Sequence, residues 1–324
     1  GVQTVHDVSV YTSWDAKSLR KAFEEESRVF FILTNSRGMN AEESSRVHEE
    51  IAHNVSIAAR VCGKAYLYMS RSDSTLRGHY PLETSLLKNA LERLEGRHID
   101  GEILCPFFKE GGRFTIDNVH YVQYGAELVP AAQTEFAKDK TFGYTSSALP
   151  AYVEEKTGGE YKAKDVVCIS LDMIRALAID SITDQLMQVT DFNKICVNAI
   201  DYVDLKVFSI ALYRAMAHGK SFMFRTAASL VKVMGGISDR PLLCRREMMV
   251  QQTQNGGLVV VGSHTQKTTA QLNALLRLDG IVGIPFNSDL ILEGDEALEA
   301  EIQRCVFKEA EVILAGRTAV CITN

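Results

Sequence analysis

The chain has 324 residues, 46% of them apolar and 23% charged, with a formal net charge of -6 and a pI near 5.8. That acidic balance argues against a general nucleic-acid binder, and no apolar run reaches the roughly 20 residues of a membrane span. No basic n-region and apolar h-region open the chain as a secretory signal would, and the length suits two domains at about 150 residues each.

Residues 1–14 read as extended, with 8–12 alternating as a strand does. A helix is expected from Ala16 to about Glu25. The continuous apolar run 29–33 has the mark of a strand covered on both faces and ends in the polar string Thr34-Asn35-Ser36-Arg37-Gly38. Asn40 then caps a helix, with Glu43 at the reciprocal capping position, and that helix runs to about Val61. A buried strand is expected over 65–69, and a helix with Leu82, Leu86, Leu87, Ala90, Leu91 and Leu94 on one face ends near Glu95-Gly96. Between them, Ser70 to Gly78 offers two guanidinia, one carboxylate, four hydroxyls and a glycine.

A strand over 103–107 leads into Lys109-Glu110-Gly111-Gly112-Arg113, where adjacent glycines allow a sharp turn or a close backbone approach. A hairpin-like stretch follows to Val122. Residues 123–145 have little periodicity and read as a long loop with short helices, a candidate lid. Helix 148–157, strand 166–169, helices 171–178 and 181–190, strand 195–199, helix 203–217 and strand 222–227 complete an alternating pattern. Such alternation specifies an α/β fold with parallel sheets. The region 231–256 is irregular and marks the boundary between a first domain, 1–245, and a second, 246–324. The second opens with strand 258–261 and Gly262-Ser263-His264, followed by helix 268–278, strand 280–284, helix 295–309 and strand 318–322. Each domain thus has a mainly parallel sheet flanked by helices, the second incomplete. The chain opens without a methionine and stops on a strand, as a fragment cut at both ends would.

Ligands of open α/β sheets bind at the carboxyl ends of strands, and each polar strand end of the first domain carries an arginine: Arg37, Arg71 with Arg77, Arg113 and Arg225. Arg71 and Arg77 suit bidentate contact with a carboxylate or phosphate. Asp73 suits a substrate hydroxyl. Two plainer readings stand beside this one: a solvated loop in which Asp73 or Ser74 caps the next helix, and arginines that pair with the chain's own carboxylates. Gly262-Ser263, between a strand and a helix, is placed like a phosphate cradle. Gly257 and Gly262 have Walker spacing, but Ser263-His264 stands where Lys-Ser/Thr belongs. His6, His79, His120 and His264 lie near turns without metal or triad spacing, and the lone Trp14 reads as packing. The seven cysteines are scattered, odd in number and without a C-x-x-C pair. That is the usage of a reducing cytoplasm and no metal site.

Taken together, Ser72-Asp73-Ser74-Thr75-Leu76-Arg77-Gly78, Pro106-Phe107-Phe108-Lys109-Glu110-Gly111-Gly112-Arg113, Thr34-Asn35-Ser36-Arg37, Val119-His120-Tyr121, Val261-Gly262-Ser263 and the opening Gly1 to Asp7 resemble the four-carbon acid sugar kinase family. The resemblance implies a first domain that binds a small acid such as threonate, erythronate or a 3-oxo-tetronate. It implies a second domain that binds ATP with Mg²⁺, the γ-phosphoryl group passing to the terminal hydroxyl of the acid. Carried over, Arg37, Asp73, Ser74, Arg77 and Arg113 belong to the acid site, with Asp73 the candidate catalytic group, and Gly262 with Ser263 to the nucleotide site. The family's opening Asp-Asp-x-Thr-Gly carboxylates are absent, and its second glycine-rich segment lies beyond Asn324. The expected partners are therefore an acid sugar and ATP, with no nucleic acid, no membrane and a homodimer left open. A catalytically incomplete binding remnant is the alternative. A dehydratase or aldolase would need a lysine Schiff base or a metal cluster at a strand end, and Lys109 is the only lysine well placed.

Overall fold

The structure, a computed structural model, describes residues 2–248, 254–263 and 265–323; Gly1 and His264 lie outside the described residues. The chain divides into two compact units, Gly1–Leu242 and Leu243–Asn324. The first is built on a five-stranded sheet in the order Met69–Arg71, Phe222–Thr226, Gly101–Cys105, Asn193–Val197, Val167–Ile169. Every pairing in it is parallel, so the α/β architecture expected from alternation is the observed one. Alternate side chains supply the two covered faces. Ile103, Cys105, Ile195, Val197, Phe222 and Phe224 pack with Leu205, Phe208 and Leu212 of helix Tyr202–Ala217 and with Ile182 and Leu186 of helix Ile179–Met187. On the other face, Leu104 and Cys196 pack with Leu76, Leu149 and Tyr152, and Met223 packs with Leu87 and Leu91 of helix Leu82–Glu95.

The capping box forms as the sequence requires. Asn40 Oδ1 accepts from the Glu43 amide at 2.9 Å, and the Glu43 carboxylate accepts from the Asn40 amide at 3.0 Å. Helix Ala41–Cys62 follows and packs its Val47, Ile51 and Val55 with Leu19 and Phe23 of helix Ala16–Glu24 and with Trp14.

Four expectations change. Run 29–33 is not a strand covered on both faces: Phe31–Ile32 pairs only with Val10–Tyr11, and Leu33 is 50% exposed. Its apolar residues instead cover one side of the helical layer of Ala16–Glu24 and Ala41–Cys62. The strand placed at 65–69 begins only at Met69. Ahead of it the Tyr66 carbonyl accepts from Arg97 at 2.7 Å, outside any strand ladder. The segment after Tyr124 is not a long loop throughout. Strand Glu127–Pro130 extends the hairpin Arg113–Ile116 and Val119–Tyr124 into a three-stranded antiparallel sheet, and two 3₁₀ turns, Ala131–Gln133 and Glu135–Lys138, come next. Helix Ala228–Met234 enters the region expected to be irregular.

The second unit holds a parallel three-stranded sheet in the order Leu258–Val261, Thr318–Thr323, Ile281–Phe286. Its core is small: Ile284, Cys305, Val312 and Ala319, with helix Asp295–Leu314 supplying two of the four.

Candidate functional site

Past Met69–Arg71 the chain turns at the carboxyl edge of the sheet, where the Ser72 amide donates to the Thr226 carbonyl at 2.8 Å. Leu76 then takes a left-handed backbone, φ 68°, with its side chain fully buried beside Tyr80, Leu104, Val122, Tyr144 and Tyr152. That backbone costs a leucine about 1–2 kcal/mol, and burying the side chain contributes about 1.5–3 kcal/mol, enough to offset the strain. Each carbonyl from Ser74 to Arg77 meets a side-chain donor. Ser74 O accepts from His120 Nε2 at 2.8 Å, Thr75 O from the Tyr144 hydroxyl at 2.8 Å, and Leu76 O from the Tyr152 hydroxyl at 2.8 Å. Arg225 Nη2 reaches Leu76 O at 3.3 Å and Arg77 O at 3.1 Å.

His120 is fully buried, and burial pushes its pKa down to about 4. The ring is neutral, with Nε2 carrying the hydrogen and Nδ1 facing the Thr115 hydroxyl at 3.0 Å. Both ring nitrogens are thus engaged, Nε2 by the loop backbone and Nδ1 by a hydroxyl. The helix after the loop, Leu82–Glu95, has Pro81 at its cap with no side-chain bond, so neither Asp73 nor Ser74 caps it.

Asp73 is the centre of charge. Its carboxylate accepts from Arg77 Nε at 2.8 Å and from Arg77 Nη2 at 3.4 Å, also from the Thr75 hydroxyl, and lies 3.3 Å from Arg37 Nη1. Burial raises its pKa, but the donors of Arg77 and Thr75 and the charges of Arg77 and Arg37 outweigh burial and hold it below the usual carboxylate range. Arg77 also lies 3.9 Å from Asp139. The guanidinium carbons of Arg77 and Arg113 stand 4.9 and 5.4 Å from the centroid of the same ring, Phe136, within cation–π range. Arg113 differs from the other two. Its Nη1 donates to the Gly111 carbonyl, its buried Nε has no partner, and no carboxylate among the described residues lies within ion-pair distance. Burial pulls its pKa down. Three guanidinia therefore converge on Asp73, Asp139 and one ring, with the charge of Glu135 also acting on Arg113, and the buried Nε of Arg113 is left without a partner.

Arg37 arrives from a separate element, the 3₁₀ turn Ser36–Gly38, which His79 and Glu83 tie to the loop. His79 Nε2 lies 3.1 Å from Ser36 O and 2.9 Å from Met39 O, and the Ser36 hydroxyl donates to Glu83 at 2.7 Å. Of the residues singled out in the sequence, the structure brings together Arg37, Asp73, Arg77 and Arg113. Ser74 offers its carbonyl to His120, and Arg71 is exposed at the strand end with no side-chain hydrogen bond or ion pair among the described residues. Arg225 is a correction: only 3% exposed, it faces the loop backbone and the Tyr80 ring, not the cluster. The plainer ion-pair reading holds for Arg37 and Arg77 as they stand and fails for Arg113. Lys109 pairs with Asp201, and Glu110 accepts from the Tyr202 hydroxyl at 2.8 Å. Phe136, Asp139 and Tyr144 carried no sequence signal, since 123–145 shows no period, and Tyr152 lies in the expected helix 148–157 with nothing local to mark the role of its hydroxyl.

In the second unit, Ser263 follows strand Leu258–Val261, and its hydroxyl accepts from Thr268 at 3.0 Å. Thr265 caps helix Gln266–Leu275. An added Cβ at Gly262 would meet only Thr323 Oγ1, at 3.8 Å, so the local packing does not demand glycine there.

The first unit is an α/β module of the kind that gathers a small ligand at the carboxyl edge of a parallel sheet. A family model described as the sugar-binding N-terminal domain matches residues 1–234, and the chain belongs to that family. Three solved structures share its fold. A Salmonella typhimurium LT2 protein provisionally named as a tRNA synthase is 14% identical, with 98% of this chain and 74% of that one covered and a TM-score of 0.57. A Haemophilus influenzae protein of the DUF1537 family is 13% identical over 98% of this chain and 74% of its own, with a TM-score of 0.52. A Bordetella bronchiseptica DUF1537 protein, crystallised with citrate as a domain-swapped dimer, is 19% identical over 99% of this chain and 69% of its own, with a TM-score of 0.50. A comparison with curated proteins gives no match.

Proposed function

We propose that the chain carries the acid-sugar site, and with its second unit a nucleotide site, of an ATP-dependent kinase acting on the terminal hydroxyl of a four-carbon acid sugar of the threonate, erythronate or 3-oxo-tetronate type. The observation that carries this is the cluster of Arg37, Arg77 and Arg113 around Asp73 and Phe136, in which Arg113 has no carboxylate within ion-pair distance among the described residues and a buried Nε without a partner. The family description supports a sugar-type ligand. The citrate in the Bordetella relative, itself a hydroxy acid, supports an anionic one.

In this reading Arg113 and Arg77 take the carboxylate of the acid, and Phe136 forms the wall beside it. Asp73, held ionised, accepts a hydrogen bond from a substrate hydroxyl. Its depressed pKa makes it a weak base near neutral pH, so orienting the hydroxyl is its better role. Positioning and charge neutralisation are what phosphoryl transfer asks of a protein. The hydroxyls of Ser263, Thr265 and Thr268 gather at the amino end of helix Gln266–Leu275, chemistry that fits a phosphate chain. Gly262 and Ser263 would hold ATP there, and ATP with Mg²⁺ supplies the phosphoryl group. All seven cysteines are free, which fits a reducing cytoplasm.

The test is a panel of four-carbon sugar acids in an ADP-release assay, beside calorimetry on Arg77→Ala. ADP release with one or more acids is expected. Arg77→Ala should weaken acid binding by about tenfold or more, the scale of a charge-assisted hydrogen bond, and leave ATP binding intact. Unchanged acid affinity in that variant would refute the site, while acid binding without ADP release would identify a binding-only protein.

A further inference from the structure

Arg225 and Tyr152 do something the arginine cluster alone does not explain. Arg225 lies in strand Phe222–Thr226, is 3% exposed, and has no carboxylate within ion-pair distance among the described residues. Keeping a guanidinium in such a place is costly unless its donors are used. Two of its uses are visible: Nη2 holds the carbonyls of Leu76 and Arg77, and the cation lies 4.8 Å from the centroid of Tyr80. Tyr80 stacks on Tyr152 with centroids 5.7 Å apart and rings 14° from parallel. Tyr152 in turn donates to the same Leu76 carbonyl. Behind them the Tyr80 hydroxyl meets Glu102 at 3.3 Å, and Glu102 is paired with Lys194 at 2.7 Å.

The backbone these groups hold is one that needs holding. Leu76 is left-handed, and Gly78 follows at φ 116°, where an added Cβ would stand 4.0 Å from Arg225 Nη2. Between two such residues the peptide planes on either side of Arg77 have more than one accessible orientation. Rotating either plane would swing the Arg77 side chain off Asp73. Donors fixed in the sheet and in helix Leu149–Lys156 select one orientation.

We infer that Arg225 and Tyr152 are positioning residues of the proposed acid-sugar site: by fixing the carbonyls of Leu76 and Arg77 they aim the Arg77 guanidinium at Asp73, without touching ligand themselves. The site assignment rests on the acid-sugar reading; the aiming of Arg77 does not.

The test separates the two. In the full chain, the Arg77 Nε–H resonance is identified by its loss in Arg77→Ala and followed in Tyr152→Phe, which removes one hydroxyl, and in Arg225→Lys, which keeps the charge and shortens the reach. Both variants should keep the helical circular dichroism of the parent. Both should shift the Arg77 Nε–H signal and speed its exchange with water. Threonate and erythronate are titrated in parallel. Each variant should weaken the tighter-binding acid by about tenfold, the cost of one misplaced charged contact. Combined with Arg77→Ala, neither should add a further loss, because the two changes act through one contact. An unmoved Arg77 resonance in folded Tyr152→Phe and Arg225→Lys overturns the inference. Losses that simply add to that of Arg77→Ala overturn it as well. If the parent binds neither acid, the acid-sugar reading fails and the resonance still decides whether Arg225 and Tyr152 aim Arg77.

Discussion

At the scale of single residues, two titratable groups, the partly buried Asp73 and the fully buried His120, give the loop opposite chemical characters. Asp73 is ionised because donors and guanidinia outweigh its burial, and its folded pKa lies below the ordinary 3.8. Its contribution is therefore complete above that value and disappears as the pH falls through the folded pKa. Asp73→Asn should cost about 1.5–3 kcal/mol at pH 7, the range for hydrogen bonds to charged groups. The gap from the parent in urea midpoint should close below pH ~4, where the unfolded carboxylate takes up its proton. A gap independent of pH would show that the pairs with Arg37 and Arg77 contribute nothing. His120 works in a higher window. Its folded pKa is about 4 against an ordinary 6.5, so the unfolded chain binds the extra proton between those values. Stability from this residue is complete above pH ~6.5 and is lost as the pH falls toward 4, by an amount on the order of 3 kcal/mol. His120→Gln should flatten that slope, measured as urea midpoints from pH 7 to pH 4. An unchanged slope would place the titration elsewhere.

At the scale of elements, the hairpin that brings Arg113 to the cluster depends on its turn. Gly112 has φ +68°, and a Cβ there would come within 2.9 Å of Gln123 Cβ. Gly112→Ala should destabilise the protein by about 1–3 kcal/mol, the cost of a strained backbone plus crowding. Acid affinity should fall too, since Arg113 is the next residue along the chain. A denaturation midpoint and a calorimetric titration equal to the parent's would show the turn to be tolerant. The same scale shows what local patterning could reveal. The capping box at Asn40 and Glu43, the strands expected over 103–107 and 222–227, which form as Gly101–Cys105 and Phe222–Thr226, and the helix after the loop were legible because their signals are contained in a few consecutive residues. Run 29–33 misled for the opposite reason. A short apolar run has no period, so it cannot distinguish a strand buried on both faces from a two-stranded ribbon laid over helices.

At the scale of the molecule, the proposed acid site lies within the first compact unit, and a ligand there should show in that unit's stability. Trp14 lies in Gly1–Leu242, and the chain has a single tryptophan, so its fluorescence reports the first unit alone. At 100 times its dissociation constant, a bound acid should raise the stability of that unit by about 2.7 kcal/mol through mass action. An acid that binds by calorimetry but leaves the Trp14 transition unmoved would place its site outside the first unit.

The sequence by itself determined the alternation of strands and helices, the family to which the segments around Asp73 and Arg113 belong, and the presence of arginines at strand ends. Those are properties of residues close together in the chain, where spacing and composition carry the signal. Only the tertiary structure decided which way each arginine turned. Arg225 went inward to backbone carbonyls, Arg37 and Arg77 to Asp73, Arg113 to the ring of Phe136. It also brought Tyr144 and Tyr152 to the loop from about 70 residues away. Contacts of that kind arise when separate elements pack on one sheet, and a side chain's direction is set by neighbours that its own stretch of sequence does not contain.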